Sequence, residues 1–299
     1  MCGIVGLYAK SPAVEAQLGN YLSTMLIEMT DRGPDSAGVA LYRDSPDDQG
    51  IKFCLRASDP EFDWAGLINA AGNAIGKSAM IERRGSHAVV ALEGEPETVE
   101  QWLGEHFPGV QMVSAGHRIE IFKEMGLPVQ VIDEFNLREV SGSHALGHTR
   151  MATESAVTTD GSHPFSTGLD LCLVHNGSLS NHNRLRQRLR KQGISFRTEN
   201  DTEVAAGYLT WQLSQGATLK EALTSALKDL DGFYTFAVGT KQGFAVLRDP
   251  IACKPAVLAE TDDFVAFASE YRAFAGLPGI ESAKVWEPEP EVVYHWGAA

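Results

Sequence analysis

Basic residues are scarce in this 299-residue sequence: Lys and Arg number 25 against 39 Asp and Glu, a net charge of −14. The acidic excess is spread along the chain, and a surface of that sign repels phosphate, which argues against nucleic-acid binding. Long apolar runs are missing as well. Stretches such as Gly232 to Val238 and Asp170 to Val174 fall far short of the roughly 18 residues that span a bilayer, so no membrane anchor is expected. Nor is a secretory signal, because Met1-Cys2-Gly3-Ile4-Val5-Gly6-Leu7 has no basic region ahead of a longer apolar core. The expected compartment is therefore the cytoplasm. Cysteine is rare: Cys2, Cys54, Cys172 and Cys253 are widely separated with no CxxC pair, which fits neither a disulfide framework nor a zinc site. Cys172 lies in an apolar run and Cys253 precedes Lys254-Pro255, and both read as packing residues.

What is present is enough apolar content, 43%, to bury a substantial core. Residues 2–8 alternate as a strand does, and Leu18, Leu22, Met25, Leu26 and Met29 give 13–29 a helical spacing closed by Arg32-Gly33-Pro34-Asp35. Residues 38–42 resume as a strand. Between 44 and 139 the character changes, with Pro and Gly interrupting a predicted strand (86–92), helix (96–107) and strand (110–114), so this region reads as an insertion or a small βαβ-like lobe. Further on come short strands at 145–148 and 171–175, helices at 183–191, 202–213 and 219–230, and strands at 233–240, 244–248, 256–259 and 264–269. Paired strands with grouped helices predict stacked antiparallel sheets covered by helices.

The sharpest chemical feature is Cys2 followed by Gly3. Removal of Met1 would leave one residue carrying both a thiol and an α-amine, a nucleophile beside its own base. An α-amino pKa of about 7.7–8.0 suits proton transfer near neutrality. Around this cysteine stand, in order, Cys2-Gly3-Ile4-Val5-Gly6, Arg32-Gly33-Pro34-Asp35-Ser36-Ala37-Gly38, Gly147-His148-Thr149-Arg150-Met151-Ala152-Thr153, His163-Pro164, His175-Asn176-Gly177 and Asn200-Asp201-Thr202-Glu203. Arg248-Asp249-Pro250, Lys254-Pro255 and Ala268-Ser269-Glu270 follow. Together these resemble the glutaminase domain of class II glutamine amidotransferases over residues 2–43 and 144–275, inside a domain spanning 2–299 with 44–139 inserted.

The resemblance implies an α+β fold, the four-layer αββα sandwich of N-terminal-nucleophile hydrolases. It implies Cys2 as nucleophile, with the Asn176 side-chain amide and the Gly177 N–H as oxyanion hole. It places the substrate α-carboxylate on Arg150, whose planar fork suits that group, with Thr153 and His163 beside it and the α-ammonium at Asp201. Arg32 and Asp35 would support the nucleophile's surroundings, or be no more than a turn-stabilising pair. Asn176-Gly177 taken alone could be a hairpin turn, and Arg150 taken alone a surface salt-bridge residue. His144, His148 and His175 lack metal-ligand spacing, so no metal is expected. Met151 stands where relatives commonly carry an aromatic residue, which softens that wall.

The sequence carries no cofactor signature. The expected substrate is glutamine or a γ-glutamyl amide, and the amine would pass to glutamate-synthase-like partner subunits, which could hold FMN or iron–sulfur. The architecture looks most like the amidotransferase subunit of N-methylglutamate synthase. The alternatives are a stand-alone γ-glutamyl amidohydrolase and a catalytically silent regulatory subunit.

Overall fold

The computed structural model describes residues 2–44, 50–152 and 157–297. The chain enters through β1 (Gly3–Ala9), passes α1 (Pro12–Ala16) and α2 (Leu18–Glu28), and returns as β2 (Ser36–Tyr42). The one helix expected over 13–29 is two, because Gln17 takes a non-helical φ/ψ of −115° and 11°. Leu18, Leu22, Met25 and Leu26 nevertheless keep their stripe and bury it.

A lobe with its own sheet follows as β3 (Ile51–Ala57), α3 (Trp64–Ala74), β4 (Ser78–Arg84), β5 (His87–Leu92), α4 (Pro96–His106) and β6 (Val110–Gly116). Its strands pair antiparallel in the order β4-β5-β3-β6, a ferredoxin-like βαββαβ arrangement. It has a core of its own, built on Phe53, Leu55, Trp64, Leu67, Val90, Val99, Leu103 and Met112. The lobe is smaller than the 44–139 segment. β7 (Ile119–Met125) pairs with β2 from Ser36↔Met125 to Tyr42↔Ile119, and α5 (Pro128–Glu134) buries Val131 and Ile132 in the main core.

The rest of the chain runs β8 (His144–Arg150), β9 (Phe165–Gly168), β10 (Leu171–Leu179), α6 (His182–Arg190), α7 (Asp201–Ser214) and α8 (Leu219–Asp229). It ends with β11 (Gly232–Gly239), β12 (Gly243–Arg248), β13 (Val257–Glu260), β14 (Phe264–Ala268), β15 (Lys284–Trp286) and β16 (Tyr294–Gly297). The helix starts are written in the sequence. Asn200 Oδ1 accepts from Thr202 N at 2.8 Å, and Thr218 with Glu221 forms a capping box.

Two large sheets result, seven-stranded in the order β15-β13-β14-β1-β8-β2-β7 and five-stranded in the order β16-β12-β11-β10-β9. Strand alternation sorts their side chains. In β1 and β10, Ile4, Cys172 and Val174 enter a cluster shared by both sheets, together with Leu146, Ala237, Phe244 and Phe267. Val5 and Leu7 face the other way, onto Leu22, Met25 and Leu26 of α2. Leu173, Phe236 and Leu247 meet Leu185, Val204, Leu209 and Leu223 of α6, α7 and α8. Strands buried on both faces explain why their sequences are nearly continuous apolar runs. Among the described residues no helix is long and apolar enough to cross a membrane.

Candidate functional site

Antiparallel neighbours put the start of β1, the end of β8, the start of β2 and the end of β14 at one end of the larger sheet. The registers Gly3↔Thr149, Ser36↔Arg150 and Val5↔Ala268 fix this. Cys2, Arg32 to Asp35, Arg150 to Ala152 and Ser269-Glu270 therefore converge although they are far apart in sequence. The strand that follows Cys2 is pinned at both backbone polar groups of one residue: Ile4 N donates to Ser269 Oγ at 3.0 Å, and Ser269 N donates to the Ile4 carbonyl at 2.9 Å.

Arg32 is buried and donates from Nε to the Cys2 carbonyl at 3.0 Å and from Nη1 to Glu270 at 2.6 Å. That hydrogen bond, with the charge of Arg272 nearby, holds the Glu270 carboxyl below its ordinary pKa. Asp35 has different partners. Its Oδ2 accepts from Ala152 N at 2.8 Å, and its own N–H donates to the Arg150 carbonyl at 3.1 Å. Arg32 thus holds the backbone of Cys2, Asp35 the backbone around Arg150. Arg150 is only 6% exposed, so the surface salt-bridge alternative fails, and its Nη1 lies 3.4 Å from where a side chain on Gly161 would begin. Met151 is exposed beside it. Thr153 lies outside the described residues.

The second sheet supplies the other half. His148 Nε2 donates across to the His175 carbonyl at 3.1 Å, and the His148 and His163 rings stack at 3.9 Å. The Thr202 hydroxyl bridges His163 Nε2 at 2.8 Å and His175 Nδ1 at 2.9 Å. Burial drives all three imidazoles towards the neutral form, His148 to about 3 and His163 well below its ordinary value, with His175 lowered too. His144 is elsewhere, stacked on Tyr42 at 4.1 Å. Among the described residues no group of His, Cys, Asp or Glu has the arrangement of a metal site.

Asp201 opens α7, where Oδ2 accepts from Leu179 N at 2.9 Å and Oδ1 stands 3.8 Å from His175 Nδ1. Asn176 and Gly177 are no hairpin turn: they lie within β10, opposite Thr235 and Tyr234. Asn176 is 3% exposed, and its Nδ2 has no hydrogen-bond partner among the described residues. Gly177 has φ +151°, and a Cβ there would sit 2.0 Å from the Phe233 carbonyl oxygen. Only glycine fits that conformation and that approach. Of the other cysteines, Cys54 and Cys172 are buried, whereas Cys253 is exposed. The packing role expected of Cys253 does not hold, since it sits in the loop after β12 rather than on a strand.

Thr202, Ser269 and Glu270 carry no expected role from sequence, although each lies inside one of the motifs quoted above. Their roles depend on partners far away in sequence, which spacing does not reveal.

Residues 148–276 match the Glutamine amidotransferase domain family. Over 297 residues the chain is 57% identical to the Glutamine amidotransferase-like protein GlxB of Rhizobium meliloti (strain 1021), a match covering 99% of this chain and 98% of that protein. A Methanothermobacter thermautotrophicus (strain Delta H) glutamine amidotransferase relative is 31% identical over 280 residues, 90% of this chain and 92% of its own length. In fold the chain is similar to the allosteric regulatory enzyme of purine biosynthesis, at a TM-score of 0.63 and 22% identity, covering 99% of this chain and 47% of that one. The family and sequence matches define a glutamine amidotransferase. The chain belongs to the class II glutamine amidotransferase family.

Proposed function

We propose that the chain releases ammonia or a small amine from a γ-glutamyl amide at Cys2 and passes it to a glutamate-synthase-like partner, with N-methylglutamate synthase as the complex. The observation that carries the chemistry is the buried Asn176 amide, whose Nδ2 has no hydrogen-bond partner among the described residues, next to a glycine locked at φ +151° on a strand that His148 ties to the sheet carrying Cys2 and Arg150. Buried amide donors are normally paired. An oxyanion forming on the substrate γ-carbonyl supplies the partner.

In this reading the Cys2 thiol gives its proton to the α-amine exposed by removal of Met1. Its sulfur attacks the γ-carbonyl carbon, with Asn176 Nδ2 and the Gly177 N–H holding the developing oxyanion. The C–N bond breaks, the leaving amine takes the proton from the α-ammonium, and water then hydrolyses the thioester to glutamate and free thiol. Arg150 receives the substrate α-carboxylate, with His163 and Thr153 beside it, and Asp201 receives the α-ammonium. We read the two facing sheets and their outer helices as the αββα sandwich of N-terminal-nucleophile hydrolases, with 51–116 inserted into it. The match to relatives along nearly their whole length supports placing the acceptor chemistry, and any flavin or iron–sulfur cluster, on another chain.

Arg150→Lys keeps the charge and loses the fork. It is expected to raise KM for glutamine about tenfold with kcat nearly unchanged in steady-state assays, and an unaltered KM would remove the carboxylate role. The substrate itself is tested by kcat/KM for glutamine against γ-glutamylmethylamide. The two share every group held by Arg150, Asp201, Asn176 and Gly177, and one methyl is worth only about 1–3 kcal/mol. Comparable values support the methylated amide. A preference for glutamine beyond about a thousandfold, or about 4 kcal/mol, excludes it, and no glutamate released from either substrate sinks the amidohydrolase reading.

A further inference from the structure

His163 sits on a loop whose carbonyls face inward, and one side chain collects them. Lys123 of β7 is 7% exposed, and its Nζ donates to the carbonyls of Ser162 at 2.8 Å, Asp160 at 3.2 Å and Pro164 at 3.4 Å. The same ammonium lies 4.7 Å from the centre of the Phe165 ring. The loop is pressed close to β2, where a Cβ on Gly38 would stand 2.2 Å from the His163 carbonyl oxygen. Its outer side is held as well. Gln111 Nε2 of β6 donates to Asp160 Oδ2 at 3.1 Å, Arg56 Nη1 of β3 stands 3.5 Å from Asp160 Oδ1, and Thr159 Oγ1 donates to Glu124.

A buried ammonium without a carboxylate contact among the described residues is a costly way to fill space, and an aliphatic side chain of the same length would fill it more cheaply. Three N–H donors matched to three carbonyls give what an aliphatic chain lacks, a single defined loop shape. The cost is visible in the titration of Lys123. Burial pulls its pKa down to about 8, opposed by Asp160 and Glu203 and reinforced by Arg197 and Arg56. The loop's shape matters beyond the loop, because His163 stacks on His148 and shares the Thr202 hydroxyl with His175, the residue before Asn176.

We propose that Lys123 is a positioning residue for the substrate pocket, fixing the backbone on both sides of His163 while the 51–116 lobe holds the same loop from outside through Asp160. The inference rests on reading His163 as a wall of the glutamine pocket. Lys123 touches no substrate atom; it sets where the His163 ring stands, and hence binding more than the chemical step.

The test compares wild type, Lys123→Met and Lys123→Gln by steady-state kinetics and by hydrogen-exchange mass spectrometry of a peptide covering 157–165. In Lys123→Met, KM for glutamine should rise about tenfold or more with kcat within about threefold, and amide exchange over 157–165 should quicken about tenfold while β10 exchanges as in wild type. Lys123→Gln, which keeps donors, should fall between the two and decides the matter should the methionine variant not fold. Unchanged exchange over 157–165, or a lowered Tm with KM and kcat both intact, overturns the proposal. Wild type that hydrolyses no glutamine defeats the functional reading instead, and the exchange measurement then decides Lys123 alone.

Discussion

Cys2→Ala is expected to reduce glutamine hydrolysis by more than about a thousandfold, at least about 4 kcal/mol of transition-state stabilisation, because the thiol supplies the bond that forms. Alanine is small enough for Met1 removal to proceed, so the variant keeps the α-amine and loses only sulfur. The structure predicts that the frame survives. Arg32 holds Cys2 by its carbonyl, and Ser269 holds Ile4 by both N–H and C=O; none of these bonds uses the thiol. Stability should therefore change by no more than about 1 kcal/mol. Intact mass after exposure to a glutamine-analogue electrophile adds a second readout, since wild type lacking Met1 should gain one adduct and Cys2→Ala none. Turnover in Cys2→Ala within tenfold of wild type would remove the nucleophile assignment, and an adduct on Cys253, the exposed cysteine, would move it.

Much of this arrangement was legible in the sequence because local signals and the fold agree. The start of β1, the run at 171–175 and the capped starts of α7 and α8 are written in alternation and in Asn200, Thr218 and Glu221. The lobe was half legible. Its β5, α4 and β6 have clear patterns, whereas β4 is half-buried along most of its length and carries no alternation to read. The boundary was misjudged because β7 looks like a continuation of the lobe until its pairing with β2 is known, and pairing is a non-local fact. The edge strands β9, β15 and β16 are short and gave no periodic signal. At the site, ordered motifs pointed to the residues, but not to the geometry. Nothing in the spacing of His148, His163 and His175 indicates that Thr202 ties two of these rings together.

Asn176→Ala is expected to lower kcat about a hundred- to a thousandfold, the usual loss for one oxyanion donor, with KM for glutamine within a few-fold. The ground-state amide is held by its α-carboxylate and α-ammonium, which Asn176 does not touch in this reading, so its contribution arises only as charge builds on the oxygen. The structural alternative makes the opposite forecast. Were Asn176 a packing residue of β10, truncation would open a cavity between strand and neighbours, and the loss would appear in Tm rather than in kcat. The Nδ2 argues against that role: it is a buried donor with no hydrogen-bond partner among the described residues, so removing it sacrifices no hydrogen bond to any of them. The β10 frame itself is carried by the backbone pairs from Cys172↔Gly239 to Leu179↔Gly232, which the substitution leaves in place. A fall in kcat of at least about a hundredfold at nearly constant Tm therefore assigns Asn176 to the transition state. An unchanged kcat would leave the Gly177 N–H without its partner and would require another donor for the oxyanion.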